Sequence, residues 1–294
     1  MMILWTYMIT TLLCLKKDAL FVPYFSAGET IVILQRNAQT NEDRTGKHHG
    51  YCGSVDDGQT KASHRFATKV FDSLPLSSKD LATLDILVVA ANPWVGRNNM
   101  SHPQSQRSME TADAVLAAAR EFIDHHSHMS SSQLLNTSAT PDGGVVPISD
   151  IFFSAPEADW PELGEFYRDN ITDTEEAVFD FTEDKLESTR ARLHIEGPYD
   201  LQRRLEQFMS FTRAGRNYHF HHHSRRLLLW AVNHFDVANP YLNEILLHPA
   251  VLEPFIYVEH LGGLTFHIDK EGNQTVYVGK NRHEVKYKHQ FVTG

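Results

Sequence analysis

The sequence predicts an α/β fold built on parallel strands, and three stretches carry that expectation. Two are short, continuously apolar runs, residues 30–34 (TIVIL) and 85–91 (DILVVAA). A strand with one wet face alternates; a run with no polar interruption reads as a strand buried on both faces, as in parallel sheets. The third lies between them, where Ala62, Phe66, Ala67, Val70 and Phe71 recur at helical spacing. A strand, a crossover helix and a second strand imply a parallel pair.

The elements follow in order. The first fifteen residues, MMILWTYMITTLLCL, are apolar and uncharged. They are short for a membrane span of about 20 residues, and Lys16-Lys17 come after the apolar run, where a secretory signal would want charge before it. A buried extra helix or strand is the expectation, and residues 1–29 read as an N-terminal extension to a domain over 30–294. After the strand at 30–34 comes a polar loop, 42–53, then the helix, 59–74, broken by Pro75 and Ser77-Ser78. The strand at 85–91 stops at Asn92-Pro93. A second helix is expected over 105–123, with Thr111, Ala114, Val115 and Ala118 on one face. Residues 125–144 are rich in Ser, Thr, His and Gly and read as a loop; residues 159–185 are acidic and read as a surface insertion. Pro198 opens a further helix, in a first turn where its missing N–H costs nothing. The spacing then suggests a short strand over 217–221 and an apolar helix over 225–235. Residues 264–269 and 275–278 flank Lys270-Glu271-Gly272-Asn273, a hairpin signal.

Composition limits function. The 294 residues are 41% hydrophobic and 22% charged, ordinary for a globular chain. The net charge of −10 argues against non-specific nucleic-acid binding, which needs basic surface. Cys14 and Cys52 are the only cysteines, so no disulfide framework is implied. Cytoplasmic residence is expected and a membrane partner is not. Of the 18 histidines, nine fall in clusters at 48–49, 125–128 and 219–223. No Asp, Cys or His set at a recognised metal spacing completes any cluster, so no metal or other cofactor is expected.

The stretch 30–41, TIVILQRNAQTN, runs a buried strand into a polar turn. In open α/β sheets the carboxyl ends of strands are where ligands bind. This segment resembles the opening motif of the histidine phosphatase superfamily, the phosphoglycerate mutase-like proteins, in which an apolar strand is followed by Arg, His and Gly and often Gln-Thr. Arg36, Gln39 and Thr40 match. Asn37 stands where the family has its nucleophilic His, and Ala38 where it has Gly. Further matches follow in the family's order. Gly58 and Ala62 resemble the opening of the first helix. Residues 106–112, QRSMETA, resemble the Arg-x-x-x-Thr-Ala helix start that supplies a phosphate-binding Arg, here Arg107. Residues 219–229, HFHHHSRRLLL, resemble a strand, His-Gly-Gly and an Arg-bearing apolar helix, with His221 and Arg226 at the required offset and His222-His223 in place of the glycines. The closing strands run to about 285.

The resemblance implies a three-layer α/β/α sandwich with a mainly parallel central sheet, carrying insertions near 95–104, 124–148 and 156–195. It implies a site lined by Arg36, Arg107 and His221, with Gln39, Thr40 and His222 beside them, and an acid/base carboxylate for which Glu157 and Asp159 are the candidates. Guanidinium forks suit phosphoryl oxygens because they bind them bidentately. Asn37 cannot attack phosphorus, since an amide nitrogen has no available lone pair, but it can orient an anion or carbonyl by hydrogen bonding. The expectation is a diverged protein with an anion pocket, acting on a small anionic or phosphorylated molecule through His221 or serving as a pseudophosphatase, with a homodimer as one assembly open to it. Two alternatives stay open: a working phosphatase that uses another His, such as His222 or His48-His49, and a metal-dependent hydrolase built on the histidine clusters. The competing structural readings are ion-paired arginines, a turn-capping Asn37 and a hydrogen-bonded core His221.

Overall fold

A computed structural model describes residues 13–15, 20–39, 55–91, 106–126, 133–135, 146–148, 188, 198–233 and 256–284. Among these residues ten strands and four helices follow in the order β1 (Leu13–Leu15), β2 (Thr30–Arg36), α1 (Asp57–Asp72), α2 (Ser78–Leu81), β3 (Leu84–Ala91), α3 (Gln106–His126), β4 (Gln133–Leu134), β5 (Val146–Ile148), α4 (Pro198–His223), β6 (Arg226–Asn233), β7 (Ile256–Val258), β8 (Gly263–Ile268), β9 (Gln274–Val278) and β10 (Asn281–Glu284).

Eight strands form one sheet in the order β10-β9-β8-β2-β6-β3-β4, with β5 also paired to β3. The expected parallel character holds on one side only. β2 and β3 both pair β6 in parallel, with β6 between them, and β4 and β5 pair β3 in parallel. On the other side β8 pairs β2 antiparallel, and β9 and β10 follow antiparallel. The sheet is therefore mixed, because the chain returns by hairpins after β7 where no crossover helix intervenes.

Alternation along the central strands sorts side chains to two faces. Ile31 and Ile33, Ile86 and Val88, and Leu228, Trp230 and Val232 share one core with Phe66, Val70 and Phe71 of α1 and Val115, Ala119 and Phe122 of α3. Trp230 lies at the centre of it, T-shaped to Phe66 and tilted against Phe71, with its indole N–H donating to Gln35 Oε1 at 2.8 Å. The residues of opposite register, Val32, Leu34, Leu227, Leu229 and Ala231, are buried too, so the second face is also covered. Leu205, Phe208 and Met209 of α4 are buried as well, outside the first core.

Two sequence expectations are corrected here. Residues 217–221 are helical, within α4, and residues 226–233 are a strand, not part of an apolar helix. All eight residues of β6 are buried. A continuous apolar run cannot be assigned by periodicity alone. The sheet decides it: β6 pairs β2 on one edge and β3 on the other, and its side chains are buried on both faces.

The hairpin at 264–278 is found as expected. Gly272 has φ 88°, a backbone geometry that suits glycine, and Asp269 accepts from the backbone N–H and side-chain amide of Asn273 at 2.8 and 2.9 Å. In the N-terminal extension, β1 pairs β7 in parallel, and Val22 and Phe25 join the main core.

The amino edge of the sheet is closed by ion pairs. Asp85, with no exposed surface, accepts from Arg225 Nε at 2.7 and 2.8 Å, and the Nη2 of that guanidinium lies 2.7 Å from Oδ1. Arg226, which the sequence comparison placed at a family position, is taken up structurally: it donates to Phe25 O at 3.0 Å and pairs with Asp80. Ser77 caps α2 through its hydroxyl and backbone N–H to Asp80. Those bonds, with Arg226 and Tyr24 adding to them, hold the Asp80 carboxyl below its ordinary range. The unfolded chain therefore takes up that proton first. The stabilising contribution is whole above the ordinary Asp pKa and is lost as pH falls through the lower folded value. Urea titrations at pH 7, 4 and 3 should show Asp80→Asn flattening the acid-side decline of the parent; an unchanged slope would contradict this account.

Candidate functional site

The carboxyl end of β2 is bound on both sides before any functional side chain is considered. Asn37 N–H donates to Asn233 O at 2.8 Å, tying it to the end of β6. Arg36 N–H donates to Gly262 O at 2.8 Å and Leu261 N–H to Arg36 O at 3.2 Å, tying it to the approach to β8. The fit is close: a Cβ on Gly263 would stand 2.3 Å from Leu34 O.

Past the strand end, Ala38 N–H donates to Thr111 Oγ1 at 3.0 Å, and the same hydroxyl donates to Arg107 O at 2.7 Å. Thr111 thus joins the strand end to the first turns of α3. From the other direction Glu110 accepts Val55 N–H at 2.6 Å, just before Asp56 caps α1. The ends of β2 and β6, the start of α3 and the entry to α1 converge here. Arg36, Asn37, Arg107, Ser108 and Asn233 are all buried polar residues.

Arg36 and Asn37 leave the strand on opposite faces. Asn37 is on the α1/α3 face, in register with Gln35, and its Nδ2 donates to Ala38 O at 2.8 Å. Arg36 turns toward the β7–β8 connection, donating from Nη1 to Val258 O at 2.7 Å and lying 3.1 Å from His260 Nε2 through Nη2. Arginine offers no acceptor, so His260 Nε2 is the acceptor in this contact.

Of the expected site residues, Arg36 and Asn37 are buried at the end of β2 with their side chains on opposite faces, Arg107 is buried in the first turn of α3, whose Thr111 bonds Ala38, and Gln39 is half-buried. Thr40 and Glu157, with Asp159, lie outside the described residues. His221 and His222 do not join the group. Their backbone belongs to the last turn of α4, which feeds the amino end of β6. The seven residue steps from Arg226 to Asn233 carry the chain roughly 23 Å at about 3.3 Å per residue, so the two histidines stand at the opposite edge of the sheet from Asn37. The structure thus separates what the His221–Arg226 offset suggested should meet.

His260, Asn233, Thr111 and Ser108 were not in the expected set. Asn233 had a signal: the apolar run 227–232 stops at Asn233-His234 much as β2 stops at Gln35-Arg36-Asn37, and reading 226–233 as a strand brings the two stops together. His234 itself lies outside the described residues. Among the described residues no group of three or more His, Cys, Asp or Glu could hold a metal ion, and no helix is long and apolar enough to cross a membrane.

No family model and no curated protein matches this chain. Several solved structures are similar in fold. A phosphoglycerate mutase from Bacillus anthracis str. Sterne aligns over 87% of this chain and 97% of its own, at 10% identity and TM-score 0.49. Bacillus stearothermophilus YhfR aligns over 87% and 98%, at 16% identity and TM-score 0.42. A mycobacterial glucosyl-3-phosphoglycerate phosphatase in its native form aligns over 85% and 98%, at 12% identity and TM-score 0.40.

Proposed function

We propose that the chain is a diverged histidine-phosphatase-like protein that binds a small phosphorylated or otherwise anionic molecule at the carboxyl ends of β2 and β6, without the phosphohistidine route. The observation that carries this reading is the Thr111 hydroxyl, which accepts from Ala38 N–H and donates to Arg107 O. It fixes the motif turn of β2 against a helix start that bears a buried arginine. Arg107 supplies a charge-assisted fork for oxyanions, and the start of a 21-residue helix adds N–H donors and a favourable dipole. Asn37 orients the ligand by hydrogen bonding where the family has a nucleophile. Arg36 adds positive charge from the opposite face, braced by Val258 O and His260. The acid/base role first expected of His221 is not assigned to it, because its backbone is at the other edge of the sheet.

The test is titration of inorganic phosphate by calorimetry. Arg107→Ala is expected to weaken binding tenfold or more, since a hydrogen-bonded charge contact contributes about 1.5–3 kcal/mol, with Arg107→Lys intermediate. Robust hydrolysis of generic phosphomonoesters that depends on Arg36 would overturn the non-phosphatase reading. Phosphate binding indifferent to Arg107 would overturn the pocket.

A further inference from the structure

We infer that Ser108 is a ligand-binding residue of this pocket, its hydroxyl donating to an oxygen of the bound oxyanion; the inference rests on the anion-pocket reading above. Ser108 follows Arg107 in the first turn of α3 and has no exposed surface. Its place on the helix is with Ala112, Val115, Ala119 and Phe122, the stripe that packs on the sheet. Thr111, the other buried hydroxyl beside that stripe, is satisfied at both ends, and the remaining members are apolar. Among the described residues Ser108 Oγ has no hydrogen-bond partner.

A buried hydroxyl with no partner is destabilising, and alanine would fill the same stripe without that cost. Thr111 and Thr212 satisfy theirs by bonding back to the carbonyl four residues earlier, Arg107 O and Phe208 O; Ser108 stands too near the start of α3 to have such a carbonyl within the helix. In a helix the Cα–Cβ bond tilts toward the N-terminus, so this hydroxyl leans toward the first-turn N–H groups, where an anion would be held. A hydroxyl donates one hydrogen bond and rotates to suit its acceptor. A phosphoryl oxygen at the start of α3 would complete it.

The inference predicts a trade between stability and affinity that a packing role would not produce. Ser108→Ala is expected to melt at the same temperature as the parent or higher when free of ligand, and to bind inorganic phosphate roughly tenfold more weakly, the share expected of a hydrogen bond to a charged group. Ser108→Thr, which keeps the hydroxyl, should retain more of the affinity than Ser108→Ala. If Ser108→Ala melts lower and binds phosphate as the parent does, the hydroxyl is structural and the inference fails. If Arg107→Ala loses phosphate while Ser108→Ala keeps it, the inference fails and the pocket stands. If the parent binds no phosphate at all, both fall together.

Discussion

Replacing Gly263 with alanine is expected to destabilise the protein by about 3 kcal/mol or more, a large share of the roughly 5–15 kcal/mol that holds a typical domain folded. The added methyl would stand 2.3 Å from Leu34 O, 3.0 Å from Gln35 Cα and 3.1 Å from Leu34 C. All three are backbone atoms of β2, so no rotamer change relieves the clash. β8 must move away from β2, and the movement has consequences at both ends of Gly263. Toward the core, Gln35 loses alignment with Leu261 O, to which it donates at 3.3 Å, while Trp230 relies on the same amide. Toward the site, Leu261 and Gly262 hold Arg36 by the backbone, and Val258 and His260 hold its guanidinium. Urea denaturation should therefore show a large loss, and phosphate affinity measured well below the unfolding midpoint should fall as well. A midpoint unchanged from the parent would mean that the two strands are not packed as closely as this.

How much of this was legible in the residues depends on what each segment had to signal. The strands β2 and β3 were readable because an unbroken apolar run bounded by polar turn residues has few alternatives in a chain of this size. Helices α1 and α3 were readable from the recurrence of Ala, Val and Phe at three and four residues. β6 carried the same kind of signal as β2 and β3, yet the histidines before it resembled a family motif and drew the strand assignment to 217–221. That error inverted the local order, and with it the position of His221. Arg226 illustrates the limit differently: its offset from His221 suited a ligand, but the offset cannot reveal that Asp80 waits at the amino edge. The antiparallel side was signalled only by its hairpin. The partners of Arg36 were not legible at all, since Val258 and His260 are more than 220 residues away in the chain and only the sheet order, with β8 beside β2, brings them near.

The substitution Asn37→His is expected to convert the proposed non-covalent anion site into one that takes a phosphoryl group. At present the side chain at this position is an amide whose Nδ2 donates to Ala38 O, and its nitrogen lone pair is delocalised. An imidazole offers a ring nitrogen lone pair that can form a P–N bond as the P–O bond of a reactive ester breaks, the leaving group departing as a phenoxide that needs no proton from the protein. The backbone that would present it is already held: Asn37 N–H is fixed to Asn233 O and the next residue to Thr111. The larger ring enters a nearly closed space, Asn37 being 2% exposed, so a cost of about 1–3 kcal/mol in stability is expected alongside. Incubated with a reactive phosphomonoester, the variant should accumulate up to about one base-stable, acid-labile phosphoryl group per chain, readable by phosphorus NMR, while the parent acquires none. Adding Arg107→Ala should abolish the label by removing the clamp on the transferring oxygens. The decisive adverse result is a folded Asn37→His protein that binds phosphate as the parent does and still acquires no label. It would mean that position 37 does not face the phosphorus, and that the match between this turn and the family's opening motif ends at Arg36.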